Sequence, residues 1–327
     1  MFDTMKTHLK DAKHIVVIQA ENPDGDSLGS ALALEEILSD LGKTVTLYCP
    51  INIPSYLRYF SGWDRVTDDF PSKADMAIIV DTSSDTLLGK VLEAQGVRHF
   101  LESHPVFVID HHTTESTLTF EHYDLSEKAA ATSEIILKMA NELEFNVNTT
   151  AAEHLLGSLL ADTLGLSTQG VTAGSYRIAG QLVELGAHPS VIENKRREFM
   201  KKSAKILAYK GRLIDRIEYL CDGKVALVHV PFEEIQEFSN EYNPGALIGD
   251  ELRLVKGVEV SCVIKTYPDG KLTGRLRSNS PIAESIAGYF GGGGHDYTAG
   301  FRVYEQYDTV IKELVTATEK ALAERKL

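Results

Sequence analysis

The sequence has 327 residues, of which 43% are hydrophobic and 24% charged, the composition of an ordinary globular protein with enough residues for two domains. Its formal net charge of −14 argues against gripping long duplex nucleic acid through the phosphates, but it leaves a short anionic substrate open. The three cysteines (Cys49, Cys221 and Cys262) are far apart and lack CxxC spacing, so we expect reduced thiols, a cytoplasmic location and no zinc site. We expect neither a signal peptide nor a membrane span.

Apolar strands and amphipathic helices alternate through the first half of the chain. We predict strands at residues 15–19, 43–48, 76–80 and 106–109, and helices at 2–12, 31–41 and 53–60. Strands and helices that alternate at this length indicate a doubly wound parallel sheet, and therefore an α/β fold. Further helices are predicted at 129–143, 149–162 and 175–185.

The second half begins with a charged segment. Residues 191–207 are rich in Lys, Arg and Glu, and we interpret them as a solvated connecting helix rather than a nucleic-acid patch. Two hairpins are then predicted around the turns at 222–223 and 268–270. Their strands are at 214–219, 224–230, 258–267 and 271–277, with a last strand at 301–304 and helices at 232–238, 281–289 and 309–324. The predicted organisation is a domain at 1–188, a helical linker at 189–213 and a smaller α+β domain at 214–327.

The loop after the first predicted strand carries two carboxylates one residue apart, Asp24 and Asp26. Parallel sheets place ligands at the carboxyl ends of their strands. Two carboxylates so close repel each other unless a cation neutralises them. The loop therefore predicts either a metal site or an Asp-rich helix cap made by Asp26 or Ser27.

Residues that could complete such a site follow other predicted elements. Asp81 follows the third strand, His111 follows the fourth, and Asp162 ends a helix. Each position has an ordinary structural explanation: Asp81 could cap the next turn, Asp162 could end its helix, and His112 could be a core histidine. Strand ends converge on one sheet edge, however, which favours a shared site. Carboxylates with an imidazole suit Mn²⁺ better than Zn²⁺, with Mg²⁺ as the alternative, and would serve phosphoryl chemistry.

Five motifs spread over nearly the whole chain resemble, in their residues and in their order, those of the DHH phosphoesterase superfamily with a DHH-associated C-terminal domain. They are residues 22–30, Asp81, the triplet Asp110-His111-His112, the turn at 161–163, and Gly291–Gly294 with His295. Within the superfamily the chain resembles the nanoRNases, also called bifunctional oligoribonuclease and pAp phosphatase proteins. Cyclic-dinucleotide-linked phosphodiesterases are related.

The resemblance implies a role for each matching residue. Asp24 would serve a first metal ion, Asp81 would bridge, and the second ion would be held by Asp26, His111 and Asp162. His112 would support the site or contact phosphate, with Asp110 orienting the imidazoles. The residues implied to bind the substrate phosphate are Arg275 or Arg277, Ser278, Gly292, Gly293, Gly294 and His295. Of the two arginines, Arg277 better matches the Arg-Ser pattern of the family.

Two positions depart from the family pattern. Relatives carry a His three residues before Pro23, where this sequence has Ala20, which cannot bind a metal ion. Either Glu21 or water could take that place, so the metal count is one or two. The second departure is Leu164-Gly165-Leu166, which stands where relatives commonly have Gly-x-Phe. We expect this difference to alter either the stacking of a substrate base or the shape of the pocket.

We therefore predict a Mn²⁺-dependent phosphodiesterase that hydrolyses short oligonucleotides or linear dinucleotides to mononucleotides. The alternatives are a pAp 3′-phosphatase and, because of Ala20, a catalytically weakened nucleotide-binding protein. The expected partner is short single-stranded RNA, a dinucleotide or pAp, with no long duplex and no membrane. Both a monomer and a homodimer remain open.

Overall fold

The structure, a computed structural model, describes residues 2–112, 115–239 and 241–325, with His295 described by its backbone alone. It divides into two compact units, Met1–Lys201 and Lys202–Leu327. The division falls inside the segment 189–213, for which we predict a helical linker. Across the described ranges, no helix is both long enough and apolar enough to span a bilayer.

A parallel five-stranded sheet forms the centre of the N-terminal unit. Its strands are β1 (His14–Ile18), β2 (Thr44–Tyr48), β3 (Met76–Val80), β4 (Val106–Ile109) and β5 (Tyr123–Asp124). They lie in the order β2-β1-β3-β4-β5, and every neighbouring pair is parallel. The chain leaves β1 towards β2 on one side and returns to β3 on the other. Sheets of this kind bind ligands at such a reversal of strand order.

Helices cover both faces of this sheet. They are α1 (Asp3–Asp11), α2 (Gly25–Asp40), α3 (Gly89–Glu93), α4 (Val97–Ser103), α5 (Thr132–Leu143), α6 (Thr149–Asp162), α7 (Ala173–Glu184) and α8 (Pro189–Phe199). Alternate residues of β1 face different cores: Ile15 and Val17 pack with α2, α5 and α6, whereas Val16 and Ile18 pack with α3 and α4. Burial on both faces explains why the strand is apolar throughout, and it confirms the predicted doubly wound sheet.

The C-terminal unit is built on a mixed sheet. Its elements are α9 (Ala204–Asp215), β6 (Glu218–Leu220), β7 (Val225–Val230), α10 (Phe232–Phe238), α11 (Pro244–Leu252), β8 (Val260–Thr266), β9 (Leu272–Ser278), α12 (Ala283–Tyr289), β10 (Gly293–His295), β11 (Thr298–Val303) and α13 (Tyr307–Glu324). The strand order is β10-β11-β9-β8-β7-β6, with β7 and β8 parallel and the other neighbours antiparallel. Apolar clusters fill both faces, one with α12 and α13 and the other with α9, α10 and α11. This is the predicted α+β domain.

The charged segment at 191–207 differs from its prediction, because it is not one helix. Helix α8 ends at Phe199, and α9 begins after Ser203, whose hydroxyl accepts the N–H of Ile206 at 3.2 Å. An N-cap of this kind starts a new helix. Helix α9 then continues to Asp215, so β6, the first strand of the C-terminal unit, begins at Glu218 rather than at the predicted residue 214.

Candidate metal centre

The loop after β1 leads directly into α2, and Asp24 is the N-cap of that helix. The Asp24 carboxylate accepts the N–H groups of Asp26 at 2.9 Å and Ser27 at 3.0 Å, while the Ser27 hydroxyl accepts the N–H of Asp24 at 3.0 Å. The predicted cap at Asp26 or Ser27 is therefore wrong by two or three positions, because Asp24 is the last residue with an extended backbone. A Cβ added at Gly25 would lie 2.4 Å from Ala161 Cβ, so only glycine lets α2 approach α6 here.

Three carboxylates converge on one imidazole nitrogen. The Nε2 atom of His111 lies 3.5 Å from Asp81 Oδ1 and 3.7 Å from both Asp26 Oδ2 and Asp162 Oδ2. The other ring nitrogen, Nδ1, lies 3.2 Å from the carbonyl oxygen of Ala129. Because a carbonyl only accepts, Nδ1 carries the proton of the neutral ring. In this neutral form, the lone pair of Nε2 faces the carboxylates.

Residues of α2, α5 and α6 hold two of these carboxylates in place. Asp26 is 1% exposed. Its Oδ2 accepts the N–H of Thr132 at 2.7 Å, and its Oδ1 accepts the hydroxyls of Ser30 and Ser158. The Thr132 hydroxyl donates to Asp81 Oδ1 at 3.1 Å. None of Thr132, Ser30 and Ser158 was among the predicted site residues. Ser30 ends the motif at residues 22–30 but was given no role there, and no short motif marks Thr132 or Ser158.

The electrostatics of the cluster are unfavourable for bare carboxylates. Burial, followed by the charges of Asp26 and Asp24, raises the pKa of Asp81 well above its usual range. Burial and Asp26 raise the pKa of Asp162 to about 6. Asp81 also has a left-handed backbone, with φ 63°. Strained, crowded carboxylates with raised pKa values are typical of functional sites that a bound cation completes.

The donor set fits a divalent cation. Two sets of three residues could each hold a metal ion, because the ligand atoms within each set all lie within 4.8 Å of one another. The sets are Asp26-His111-Asp162 and Asp81-His111-His112. Carboxylate oxygens with one imidazole suit Mn²⁺ or Mg²⁺, whereas a structural zinc site would use more nitrogen or sulfur. Asp24 belongs to neither group.

His112 and Asp110 form a pair at the rim of this cluster. The Nδ1–H of His112 donates to Asp110 Oδ1 at 2.6 Å, and the Ser83 hydroxyl donates to Asp110 Oδ2 at 3.0 Å. The bond to Asp110 raises the pKa of His112. Burial favours a higher pKa for Asp110, but the bonds from His112 and Ser83 outweigh it and lower the pKa. The His112 side chain is 51% exposed, so in the protonated ring its Nε2–H can donate to a bound anion.

The residues predicted to bind substrate phosphate lie on β9, on β10 and, for Gly292, directly before β10 in the C-terminal unit. Arg275 is exposed, and Arg277 is partly buried with its Nε 3.5 Å from Asp250 Oδ1. Ser278 is fully buried, and its hydroxyl bonds the carbonyl oxygens of Ser280 and Asp296. The arginines can therefore reach a ligand, whereas the hydroxyl of Ser278 is used within the fold.

The glycine run is not simply a turn. Gly293 and Gly294 belong to the edge strand β10, and the N–H of Gly292 bonds the carbonyl oxygen of Ala287 at 2.9 Å. A Cβ at Gly292 would lie 2.2 Å from the carbonyl oxygen of Gly300, so this position requires glycine for packing. The side chain of His295 lies outside the described part of the structure.

Comparison with known families agrees with this architecture. The DHH family, N-terminal domain, matches residues 14–164, and the DHHA1 domain matches residues 228–324. The chain belongs to the DHH family. The N-terminal match contains Asp24, Asp26, Asp81, His111 and Asp162, and the C-terminal match contains β9 and β10.

Relatives of nearly the same length share both domains. The chain is 26% identical to the probable bifunctional oligoribonuclease and PAP phosphatase NrnA of Streptococcus mutans, over 96% of this chain and 97% of that one. It is 22% identical to the bifunctional oligoribonuclease and PAP phosphatase NrnA of Bacillus subtilis, over 97% and 95%. The crystal structure of an exopolyphosphatase-related protein from Bacteroides fragilis has the same fold, with a TM-score of 0.87 and 21% identity over 100% and 97% of the two chains.

Proposed function

We propose that this protein is a Mn²⁺-dependent phosphodiesterase that hydrolyses short oligonucleotides or linear dinucleotides to mononucleotides. The observation that carries the proposal is the convergence of Asp26, Asp81 and Asp162 on Nε2 of His111. The two NrnA relatives, named for oligoribonuclease and PAP phosphatase activities, support the substrate class.

The carboxylates and the imidazole would hold the cation. A bound divalent cation would supply Lewis-acid chemistry to the phosphoryl group and lower the pKa of water. The neutral His111 ring would present an unprotonated Nε2 because Nδ1–H donates its hydrogen bond to the Ala129 carbonyl. Thr132 would orient the carboxylates of Asp26 and Asp81 towards the cation through hydrogen bonds from its N–H and its hydroxyl.

His112 would stabilise the charge that builds on the phosphoryl oxygens. Its Nδ1–H is directed to Asp110, so the Nε2 edge is left to donate a hydrogen bond to an anion. The raised pKa of His112 keeps a proton there more often near neutral pH. In the C-terminal unit, Arg275 and Arg277 would pair with the terminal phosphate of the substrate, with the β10 backbone and His295 as further contacts.

The site holds one resident cation in this proposal, rather than two. Asp24 Oδ1 accepts two N–H groups as a helix cap, and position 20 is an alanine. The Glu21 carboxylate accepts the N–H of Lys90 at 2.9 Å, so it is engaged with α3. Elemental analysis after Mn²⁺ loading and dialysis should find about one ion per chain, rising with Ala20→His. Two ions in the unaltered protein would contradict this.

Two other functions are favoured by particular observations. The names of the NrnA relatives favour a pAp 3′-phosphatase as a second activity of the same site. Ala20 and the capping role of Asp24 favour a nucleotide-binding protein of weakened catalysis, since a fold can persist while its site changes use.

A product-resolved assay separates the three functions. Mn²⁺-loaded protein is incubated with pAp, pGpG, pApA and longer RNAs, and the products are resolved by chromatography. Mononucleotides from the dinucleotides support the phosphodiesterase, AMP with phosphate from pAp alone supports the phosphatase, and tight binding without turnover supports the binding protein. His111→Ala is the control, in which any turnover should disappear.

A further inference from the structure

The turn that follows Asp162 exposes the side chain of Leu164 to solvent. Leu164 has φ 49° and Leu166 has φ 65°, with Gly165 at φ 73° between them. Residues other than glycine, and bulky ones above all, seldom adopt this left-handed conformation. The two leucines differ in their surroundings, because Leu166 packs against a small apolar cluster while Leu164 is 73% exposed.

Hydrogen bonds fix this turn on the end of α6. The N–H of Gly165 bonds the Leu160 carbonyl at 2.9 Å, and the N–H of Leu166 bonds the Thr163 hydroxyl at 2.9 Å. The Tyr176 hydroxyl donates to the Leu166 carbonyl at 3.1 Å. A backbone bonded on both sides of Leu164 holds this residue in place. Such strain persists only where the surrounding structure maintains it, and it concentrates at functional sites.

Leu164 is two residues from Asp162, whose Oδ2 lies 3.7 Å from His111 Nε2. We infer that Leu164 is a specificity-determining residue that packs against the nucleoside, the base or ribose, next to the phosphate handled at this cluster. The inference rests on the proposed function. An apolar side chain recognises the face of a nucleobase without reading its hydrogen-bonding edge, so the contact favours nucleosides over bare phosphate and discriminates weakly between bases.

Binding to Mn²⁺-loaded protein tests the inference without turnover. Leu164→Ala should weaken AMP binding roughly fivefold to tenfold, the loss expected from part of a leucine side chain, while inorganic phosphate binds as before. GMP, CMP and UMP should lose affinity similarly. Leu41→Ala is a matched control, because Leu41 is also exposed but follows the far end of α2. Where dinucleotides are hydrolysed, Leu164→Ala should raise KM and leave kcat nearly unchanged.

Leu164→Gly adds a readout that does not depend on ligands. Glycine relieves the left-handed strain, so this variant should unfold at a temperature equal to or above that of the unaltered protein, and yet bind AMP as weakly as Leu164→Ala. Equal losses for AMP and phosphate would overturn the inference, because Leu164 would then act through the position of Asp162. Unchanged AMP binding would overturn it too. Absence of hydrolysis in the unaltered protein would instead contradict the proposed function, while the binding comparison still decides the role of Leu164.

Discussion

The backbone N–H of Thr132 donates to Asp26 Oδ2 at 2.7 Å, although the two residues are 106 positions apart in sequence. The hydroxyl of the same threonine donates to Asp81 Oδ1 at 3.1 Å. One residue at the start of α5 therefore ties together carboxylates that follow β1 and β3. Residues that orient metal ligands in this way are often as necessary as the ligands.

Replacing Thr132 separates its two bonds. Thr132→Val keeps the N–H bond to Asp26 but removes the hydroxyl that orients Asp81, so the affinity for Mn²⁺ should fall about tenfold or more. Isothermal titration calorimetry measures the affinity, and circular dichroism confirms that the fold is kept. Thr132→Ser restores a hydroxyl and should bind Mn²⁺ nearly as well as the unaltered protein. Equal affinities for the valine and serine variants would show that the hydroxyl does not orient Asp81.

The affinity for Mn²⁺ should depend on pH around 6. The raised pKa of Asp162, about 6, means that the proton of the metal-free carboxyl is retained to a higher pH than in an ordinary Asp. A cation must displace that proton, so below pH 6 the affinity should fall by about tenfold per pH unit for each proton displaced. Calorimetry from pH 5 to 8, in buffers of different ionisation enthalpy, measures the affinity and the proton release. An affinity independent of pH over this range would contradict the raised pKa.

Burial of His154 should make the stability of the fold sensitive to acid. Its side chain is buried in α6, and burial, with Arg65 and Lys195 nearby, lowers its pKa from 6.5 to about 4. The unfolded chain protonates His154 at a higher pH than the folded protein does. The stability that the folded protein gains from this difference is therefore fully present above pH 6.5 and is lost as the pH falls towards 4. The loss amounts to about 3 kcal/mol in the free energy of unfolding.

Urea unfolding of His154→Gln isolates this effect. Between pH 6.5 and 4, the free energy of unfolding should fall less steeply for the variant than for the unaltered protein, since glutamine takes up no proton. Comparing the two proteins at each pH cancels the contribution of the other carboxyl and histidine groups. Identical pH profiles would show that His154 is not held neutral by the fold.

The main elements of the N-terminal unit were predictable because their signals are local. The strands at 76–80 and 106–109 are runs of apolar residues, and parallel strands bring their carboxyl ends to one edge. The same reasoning brings Asp81 and His111 together from sequence alone. Which residue caps α2 depends on the backbone conformation at the helix start. The sequence offered Asp26 or Ser27 as the cap, whereas Asp24 makes it.

Other features depend on tertiary contacts and left no local signal. Strand β10 consists of two glycines and a histidine, residues that a sequence pattern assigns to a turn, and it forms because β11 pairs with it. Helix α11 is an exception, because Asn243 as N-cap and Pro244 in the first turn are a local start signal. The same Asn-Pro-Gly run also resembles a turn. The contacts of Thr132 arise only when α5 packs beside α2.

Mn²⁺ titration with simultaneous measurement of bound metal and of dinucleotide hydrolysis tests the central claim most directly. The protein is stripped with a chelator and titrated with Mn²⁺ in the presence of pApA, with His111→Ala and the exposed-histidine control His99→Ala alongside. We predict that hydrolysis rises in step with occupancy of a single site, that His111→Ala loses both binding and turnover, and that His99→Ala keeps both. Hydrolysis by the metal-free protein or by His111→Ala, or no hydrolysis at saturating Mn²⁺, would contradict the account.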